Sequence, residues 1–327
     1  ALSPIRARAG DFLPAITIYS MITYYFRTIK DDSLKTVADI RTGIWVHAVS
    51  PSDEEVAKLV ADFGLDADIL RDARDFLEVP RLERAGTLTY FFTRYPFDDK
   101  QEDSDTAPLL MVMGESFVLT LAVRDVPQFA HIFDGSFVVH TTQKAKFFIQ
   151  IMDLLTKSFD SELVRLRKGV QKDRARLRKI GPREIERLVE YETQLNSMVD
   201  ALIPTNSWLQ QVTTGNIMQL YSDDVALMED LLIANNQVVN SARSVLKTIQ
   251  NVRGASEAIM TSRLNNALKV LTVLTILLTV PLVVASLYGM NVPLPAQESR
   301  LAFPAIIILV CLIMGGLTLY FQKKNWF

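Results

Sequence analysis

Charged side chains are spread along the first 269 residues of this chain and then vanish twice. None occurs from residue 270 to 297, a run of 28, and none from 301 to 322, a run of 22. A helix needs about 20 apolar residues to cross the hydrocarbon of a bilayer, so both runs are long enough. Two of them exceed what the core of a soluble protein usually needs, which sets aside the competing reading of a buried helical hairpin. The pattern predicts a transmembrane hairpin over 269–322, with spans at about 270–288 and 301–321 and a loop over 289–300. Lys269 precedes the first span, and Lys323 and Lys324 open the basic tail 323–327. Positive flanks favour the cytoplasmic side, so both termini are expected in the cytoplasm and the loop on the periplasmic side. Tyr288, Tyr320 and Trp326 fall near span ends, where interfacial aromatics collect. The reading is a multi-pass protein of the inner (plasma) membrane.

Upstream, the hydrophobic pattern changes period. Residues 1–145 alternate short β-branched and aromatic runs with one helical stretch. "AITIYS", "IWVHAV", "LTYFFTRY", "LLMVM" and "FVLTLAV" predict strands. Ser50-Pro51-Ser52-Asp53 with Glu55 predicts a capped helix over "VAKLVADF". Gly114-Glu115-Ser116 predicts a hairpin turn. This part is expected to be a cytoplasmic α/β domain. Residues 146–268 lose the strand signal and predict stalk helices. The first stops at Gly181-Pro182, the second runs from Arg183 to about Leu202 and ends near Pro204, and the third starts around Asn216 and continues into the first span.

Composition changes this picture little. Hydrophobic residues make up 49%, the net charge is −2, and the single Cys311 rules out an internal disulfide. The start of the chain lacks the apolar run of a signal peptide, so membrane insertion is expected at the C-terminal end. Arg165 to Lys179 holds eight basic residues and one acid. That stretch suits either a nucleic-acid or lipid-headgroup patch or the solvated face of a helix. No aromatics interleave to stack bases, which favours the solvated face, and no nucleic-acid partner is expected. No phosphate-binding glycine loop, HExxH, Cys-x-x-Cys or GxSxG motif occurs, so an enzyme is not expected.

The first span carries a polar stripe. Between Val270 and Ser286 the hydrogen-bonding side chains are Thr272, Thr275, Thr279 and Ser286. At 100° per residue they fall within an arc of about 60°. The same stripe reaches back through Leu268 to Asn265 and forward through Leu282 to Gly289. A ring of copies could turn it toward a shared axis as a pore lining. Equally, small hydroxyls assist helix packing and bond back to their own carbonyls. With no carboxylate on the stripe, such a pore suits a hydrated hard cation, because Mg²⁺ releases its water reluctantly. Transition metals prefer imidazole or thiolate, and His47, His131 and His140 all lie in the α/β domain.

The layout resembles the CorA family of magnesium channels. The resemblance rests on Tyr288-Gly289-Met290-Asn291 at the end of a long stalk helix, followed by a short loop, a second span and the terminal "QKKNWF". It implies a funnel-shaped homopentamer with the first span lining the pore. It makes Gly289, Met290 and Asn291 the pore mouth, with Asn291 in a ring of carboxamides that meets hydrated Mg²⁺. "NNALKVLT" is similar to the family's inner pore segment, which makes Asn265 an inner polar ring and Leu271, near Leu268, a constriction that gates by dewetting. The family also senses cytoplasmic Mg²⁺ between subunits. Counting from Pro80-Arg81-Leu82-Glu83 and from Asn265 places those carboxylates at Asp72 and Asp230, with Asp75 and Glu229 as neighbours able to substitute. One departure is the loop "VPLPAQES", where Glu298 is the lone acid after Gly-Met-Asn. Zinc transporters of the ZntB type share the architecture with other loops. The expected cargo is therefore Mg²⁺, with Zn²⁺, Co²⁺ or Ni²⁺ as alternatives, and a non-conducting membrane-anchored scaffold or sensor as a third reading.

Overall fold

A computed structural model describes residues 21–97, 105–175, 181–214, 217–218, 220–292, 299, 301–324 and 326. The chain divides into two compact units. One comprises Ala1–Lys172 with Glu186–Ile249; the other comprises Asp173–Ile185 with Gln250–Phe327.

The first unit is built on a seven-stranded sheet: β1 (Ile22–Phe26), β2 (Lys35–Thr36), β3 (Ile44–Val49), β4 (Leu82–Ala85), β5 (Leu88–Pro96), β6 (Thr106–Met113) and β7 (Phe117–Ala122). Their order is β2-β1-β3-β7-β6-β5-β4. β3 and β7 pair in parallel and every other neighbour pair is antiparallel. Successive side chains of a strand point to opposite faces, and here both faces are covered. Ile44, Val46, Tyr90, Phe92, Leu110, Val112, Leu119 and Leu121 share a cluster with Leu59, Phe63, Ile69 and Leu70 of α1 (Asp53–Phe63) and α2 (Ala67–Asp72). Trp45, Phe91, Tyr95, Leu109, Met111 and Val118 share the other cluster with residues of three long helices, α4 (Lys144–Arg174), α5 (Pro182–Thr214) and α6 (Ser222–Tyr288). Double coverage explains why the central strands read as near-continuous apolar runs. A short α3 (Ala130–Phe133) lies between β7 and α4.

Local signals act where the sequence places them. Ser52 and Glu55 form a reciprocal capping box at the start of α1. At the β6–β7 hairpin a side chain on Gly114 would come within 2.4 Å of the Phe117 ring, so only glycine fits. Pro182 opens α5 at the position where its missing N–H costs nothing, and the Glu184 carboxylate accepts from the Gly181 N–H at 3.0 Å.

Three expectations need correction. α5 does not end near Pro204 but continues to Thr214. Proline removes one helical hydrogen bond, at a cost of about 3 kcal/mol, but the carbonyl it frees belongs to Asp200, an exposed residue. Thr205 donates to the Ala201 carbonyl at 2.8 Å. Trp208, Leu209 and Val212 are buried beyond the proline, and at roughly 2 kcal/mol each this outweighs the loss. α6 starts at Ser222 rather than Asn216, with Asp224 accepting from the Tyr221 N–H at 3.3 Å. β1, β2 and β4 join the expected strands, whereas "AITIYS" lies outside the described residues.

The long helices are pinned by one buried amide. Asn235 of α6 is fully buried, receives the Thr156 hydroxyl of α4 at 3.4 Å, and donates to Asn206 Oδ1 of α5 at 2.9 Å. Asn206 in turn donates to Asn236 at 3.0 Å. A satisfied polar cluster in an apolar bundle fixes helix register, because any slip strands its groups without partners.

His47 is a core residue, not a ligand. Its ring is buried, packs 5.3 Å from Phe129 and lies 2.9 Å from the Thr120 hydroxyl, which also accepts from Trp45 Nε1. Burial pushes its pKa from 6.5 down to about 4. The unfolded chain therefore takes up a proton that the folded one refuses, and stability is lost as pH falls from 6.5 toward 4. Denaturant titration followed by tryptophan fluorescence should show the α/β domain losing about 2 kcal/mol between pH 7.5 and pH 5. His47→Phe should flatten that dependence.

Candidate ion pathway and cytoplasmic carboxylates

In the second unit the end of α6 meets α7 (Ala302–Lys323). Both helices are long and apolar enough to cross a membrane. α6 hides one face: Val273 is fully buried, and Ile276, Leu277, Val280, Pro281 and Val284 are half-buried. α7 shows the matching stripe, with Ala302, Ile306, Val310, Met314, Leu317 and Thr318 half-buried and Phe321 buried. Toward their loop-side ends the two helices share an apolar groove of about 450 Å³ lined by Pro281, Val284, Tyr288, Phe303, Ile306 and Val310.

The hydroxyl stripe lies elsewhere. Asn265, Leu268, Leu271, Thr272, Thr275, Thr279, Leu282 and Ser286 are all exposed within the chain. At 100° per residue their mean direction is about 150° away from the face that α7 covers. Packing against the second span therefore does not account for these hydroxyls. Back-bonding does occur. Thr272, Thr275 and Thr279 donate to the carbonyls of Leu268, Leu271 and Thr275 at 2.8, 2.9 and 2.7 Å. Each hydroxyl proton is thus held by its own helix, and what the stripe offers outward is oxygen lone pairs.

α6 ends at Tyr288. The Gly289 N–H bonds to the Ala285 carbonyl at 3.0 Å, and the Met290 N–H bonds to Leu287 at 3.3 Å. A side chain on Gly289 would stand 3.3 Å from the Ala285 oxygen, a tight approach to backbone. Asn291 follows, exposed and with no hydrogen bond to another described residue. Glu298 lies outside the described residues.

The two carboxylates expected to sense a cation sit in the first unit. Asp72 is the last residue of α2, and Asp230 is exposed on α6, two turns from its start. Asp75 accepts from the Leu77 N–H at 2.9 Å in a local turn, and Glu229 is exposed. Among the described residues no group of three or more His, Cys, Asp or Glu side chains is placed to hold a metal ion. Asp72 is already engaged: Arg81 Nη2 binds its Oδ2 at 3.1 Å. Within one chain, then, neither carboxylate forms a ready cation site.

Two arginines that hold the segment after α2 went unrecognised in the sequence. Arg81 also binds Glu78 through Nη1 and Glu83 through Nε, with its guanidinium 4.0 Å from the centre of the Phe92 ring. Partial burial works against its charge, but Glu83, Glu78 and Asp72 outweigh that and raise its pKa above the ordinary arginine value. Arg94 is buried and donates to the Phe76 and Glu78 carbonyls at 3.0 and 2.6 Å and to the Thr106 carbonyl at 2.6 Å. It ties the segment after α2 to the sheet, and its burial lowers its pKa. Pro80-Arg81-Leu82-Glu83 served in the sequence only as a landmark; the ion-pair spacing Glu78-x-x-Arg81-x-Glu83 was the available signal.

Comparison with known proteins fits this geometry. The family model described as "CorA-like Mg2+ transporter protein" matches residues 41–324. The cobalt/magnesium transport protein CorA of Methanocaldococcus jannaschii is 22% identical over 305 residues, covering 86% of this chain and 91% of that one. The complete structure of the CorA magnesium transporter from the same organism superposes with a TM-score of 0.83 at 18% identity, covering 95% of this chain and 100% of that one. The cytoplasmic domain of ZntB from Vibrio parahaemolyticus shares the fold more distantly, with a TM-score of 0.53 at 9% identity over 76% of this chain and 99% of that one. Matched along most of its length, with an α/β domain, long helices and two apolar helices, the chain belongs to the CorA-like Mg²⁺ transporter family, whose members are transporters and not enzymes.

Proposed function

We propose that the chain assembles as a funnel-shaped homopentamer in the inner membrane and conducts hydrated divalent cations, Mg²⁺ first among them, into the cytoplasm. In this reading residues 1–145 and 146–268 form the cytoplasmic domain and stalk, 269–322 the membrane hairpin, and 323–327 the cytoplasmic tail. The observation that carries it is the hydroxyl stripe of α6, exposed in the single chain and turned away from α7. Five such stripes around an axis would line a conduit with Asn265, Thr272, Thr275, Thr279 and Ser286, while α7 and the aliphatic flanks meet lipid.

The chemistry follows from the back-bonds. Waters around a cation point their hydrogens outward. A wall whose threonine protons are already committed to helix carbonyls presents acceptors to that shell and leaves the inner-sphere waters in place. No carboxylate competes with them, which suits an ion that dehydrates reluctantly. Leu268, Leu271 and Leu282 break the polar lining with apolar rings, and a narrow apolar ring closes by losing its water. Gly289, Met290 and Asn291 would form the outer mouth, with the free Asn291 carboxamide accepting from the hydrated ion. A divalent charge crossing 100 mV gains roughly 4–5 kcal/mol, enough to drive uptake without coupling. Cobalt travels with magnesium in the name of the Methanocaldococcus relative, and Co²⁺ or Ni²⁺ as further cargo is consistent with recognition through a water shell.

Zinc is the second reading, favoured by the fold shared with ZntB and by the outer loop's single acid. Side-by-side Mg²⁺ and Zn²⁺ flux into liposomes at pH 6 and 7.5 separates the two. Uptake of Mg²⁺ that ignores the proton gradient supports the first, and Zn²⁺ uptake that collapses without the gradient supports the second.

Two substitutions test the pathway. Asn291→Ala should lower Mg²⁺ flux into dye-loaded liposomes at least tenfold, since one hydrogen-bonding group alone is worth about 1.4 kcal/mol and the substitution removes one from every subunit; unchanged flux would remove the carboxamide from the mouth. Leu271→Asn should raise flux several-fold by keeping the constriction wet, and reduced or equal flux would place the gate elsewhere.

A further inference from the structure

We propose that Arg81 is an internal competitor for the Asp72 carboxylate, so that a divalent cation arriving from the cytoplasm engages Asp72 only by displacing a guanidinium. The inference rests on the reading of Asp72 as a sensing carboxylate and concerns what that side chain does before any cation reaches it.

Three observations carry it. The contact is direct, Arg81 Nη2 to Asp72 Oδ2 at 3.1 Å. The guanidinium is held in place: its other two nitrogens bind Glu78 and Glu83, and its central carbon Cζ lies 4.0 Å from the centre of the Phe92 ring. Its backbone is fixed as well, since the Phe92 N–H donates to the Arg81 carbonyl at 2.8 Å. Such a cation does not diffuse away when ionic strength rises, as a counter-ion would. Asp72, about half exposed, is the outermost of the three carboxylates, whereas Glu78 is largely covered. It is therefore the one a cation from solution reaches first and the one Arg81 can release while keeping its other two partners.

The energetic consequence has one direction. A hydrated Mg²⁺ approaching the three carboxylates without Arg81 meets their full negative charge; with Arg81 among them it meets one unit less and must also separate the Arg81–Asp72 ion pair. Arg81 should thus shift the cation response of this region to higher concentration. Arg71 and Arg74 do not share the role, because they pair with Asp68 and Asp53.

The test uses the full chain in detergent micelles, with amide hydrogen exchange of residues 67–83 followed against MgCl₂ while NaCl holds ionic strength constant. Arg81→Met removes the charge and keeps a straight stem over Phe92. Its Mg²⁺ midpoint should lie at least fivefold below wild type, and Arg81→Lys, which cannot span three carboxylates, should fall between the two. Asp72→Asn/Arg81→Met should abolish the gain. An Arg81→Met or Arg81→Lys midpoint equal to wild type, while Asp72→Asn changes the response, overturns the competitor role and leaves Asp72 as the sensor. A response identical in wild type, Asp72→Asn and the double variant overturns both claims. Should Arg81→Met lose its exchange protection at every Mg²⁺ concentration, the Lys variant decides alone.

Discussion

Inside a bilayer a hydroxyl has no water to turn to, and that constraint organises the membrane end of this protein. Each threonine on the α6 stripe can satisfy its proton only on its own helix or on a neighbour. The second span is not that neighbour, because it covers the opposite face. The protons go to the carbonyls four residues back, and the oxygens are left facing outward. A single chain cannot justify a row of outward oxygens against lipid; a ring of chains around water can. In the proposed function, assembly and conduction are two consequences of the same outward-facing surface.

A helix of 67 residues, about 100 Å long, needs to be held in register to be more than a tether. In the first unit the buried Asn235 cluster ties α6 to α4 and α5, and the aromatic face of the sheet packs on α4 and α5 through Phe91, Phe148 and Trp208. Sliding α6 by one residue would bury those amides without partners, which costs more than any single contact gains. The first part of α6 is therefore held rigidly in its unit.

Much of this was legible in the residues themselves. Strands covered on both faces betray themselves as apolar runs, and "IWVHAV", "LTYFFTRY" and "FVLTLAV" did so. The capping box at Ser52 and Glu55 is a local device, and local devices survive folding. The arc of hydroxyls was visible too, since helix geometry converts spacing into direction. The misses share a cause: each was decided by packing or pairing in the folded chain rather than by the pattern of its own segment. Pro204 reads as a stop, but the burial of Trp208 and its neighbours overrides it. β4, "LERA", has no strand pattern of its own and is recruited by the edge of β5. Arg81 looked like one base among many until folding placed three carboxylates around it. Nor does spacing say which face of α6 the second span takes; that follows only once α7 presents its own stripe of Ile306, Val310 and Met314.

The central claim is that the Thr272–Thr275–Thr279 face of α6 looks onto water in the assembled protein. Cysteine accessibility in liposomes measures this directly, in a Cys311→Ser background that removes the lone native thiol. A small charged thiol reagent should modify cysteine placed at residue 275 or 279 and block flux, while cysteine at 274 or 277 stays unreacted. Equal protection at all four positions would mean that the stripe faces lipid or protein, and the account would be wrong.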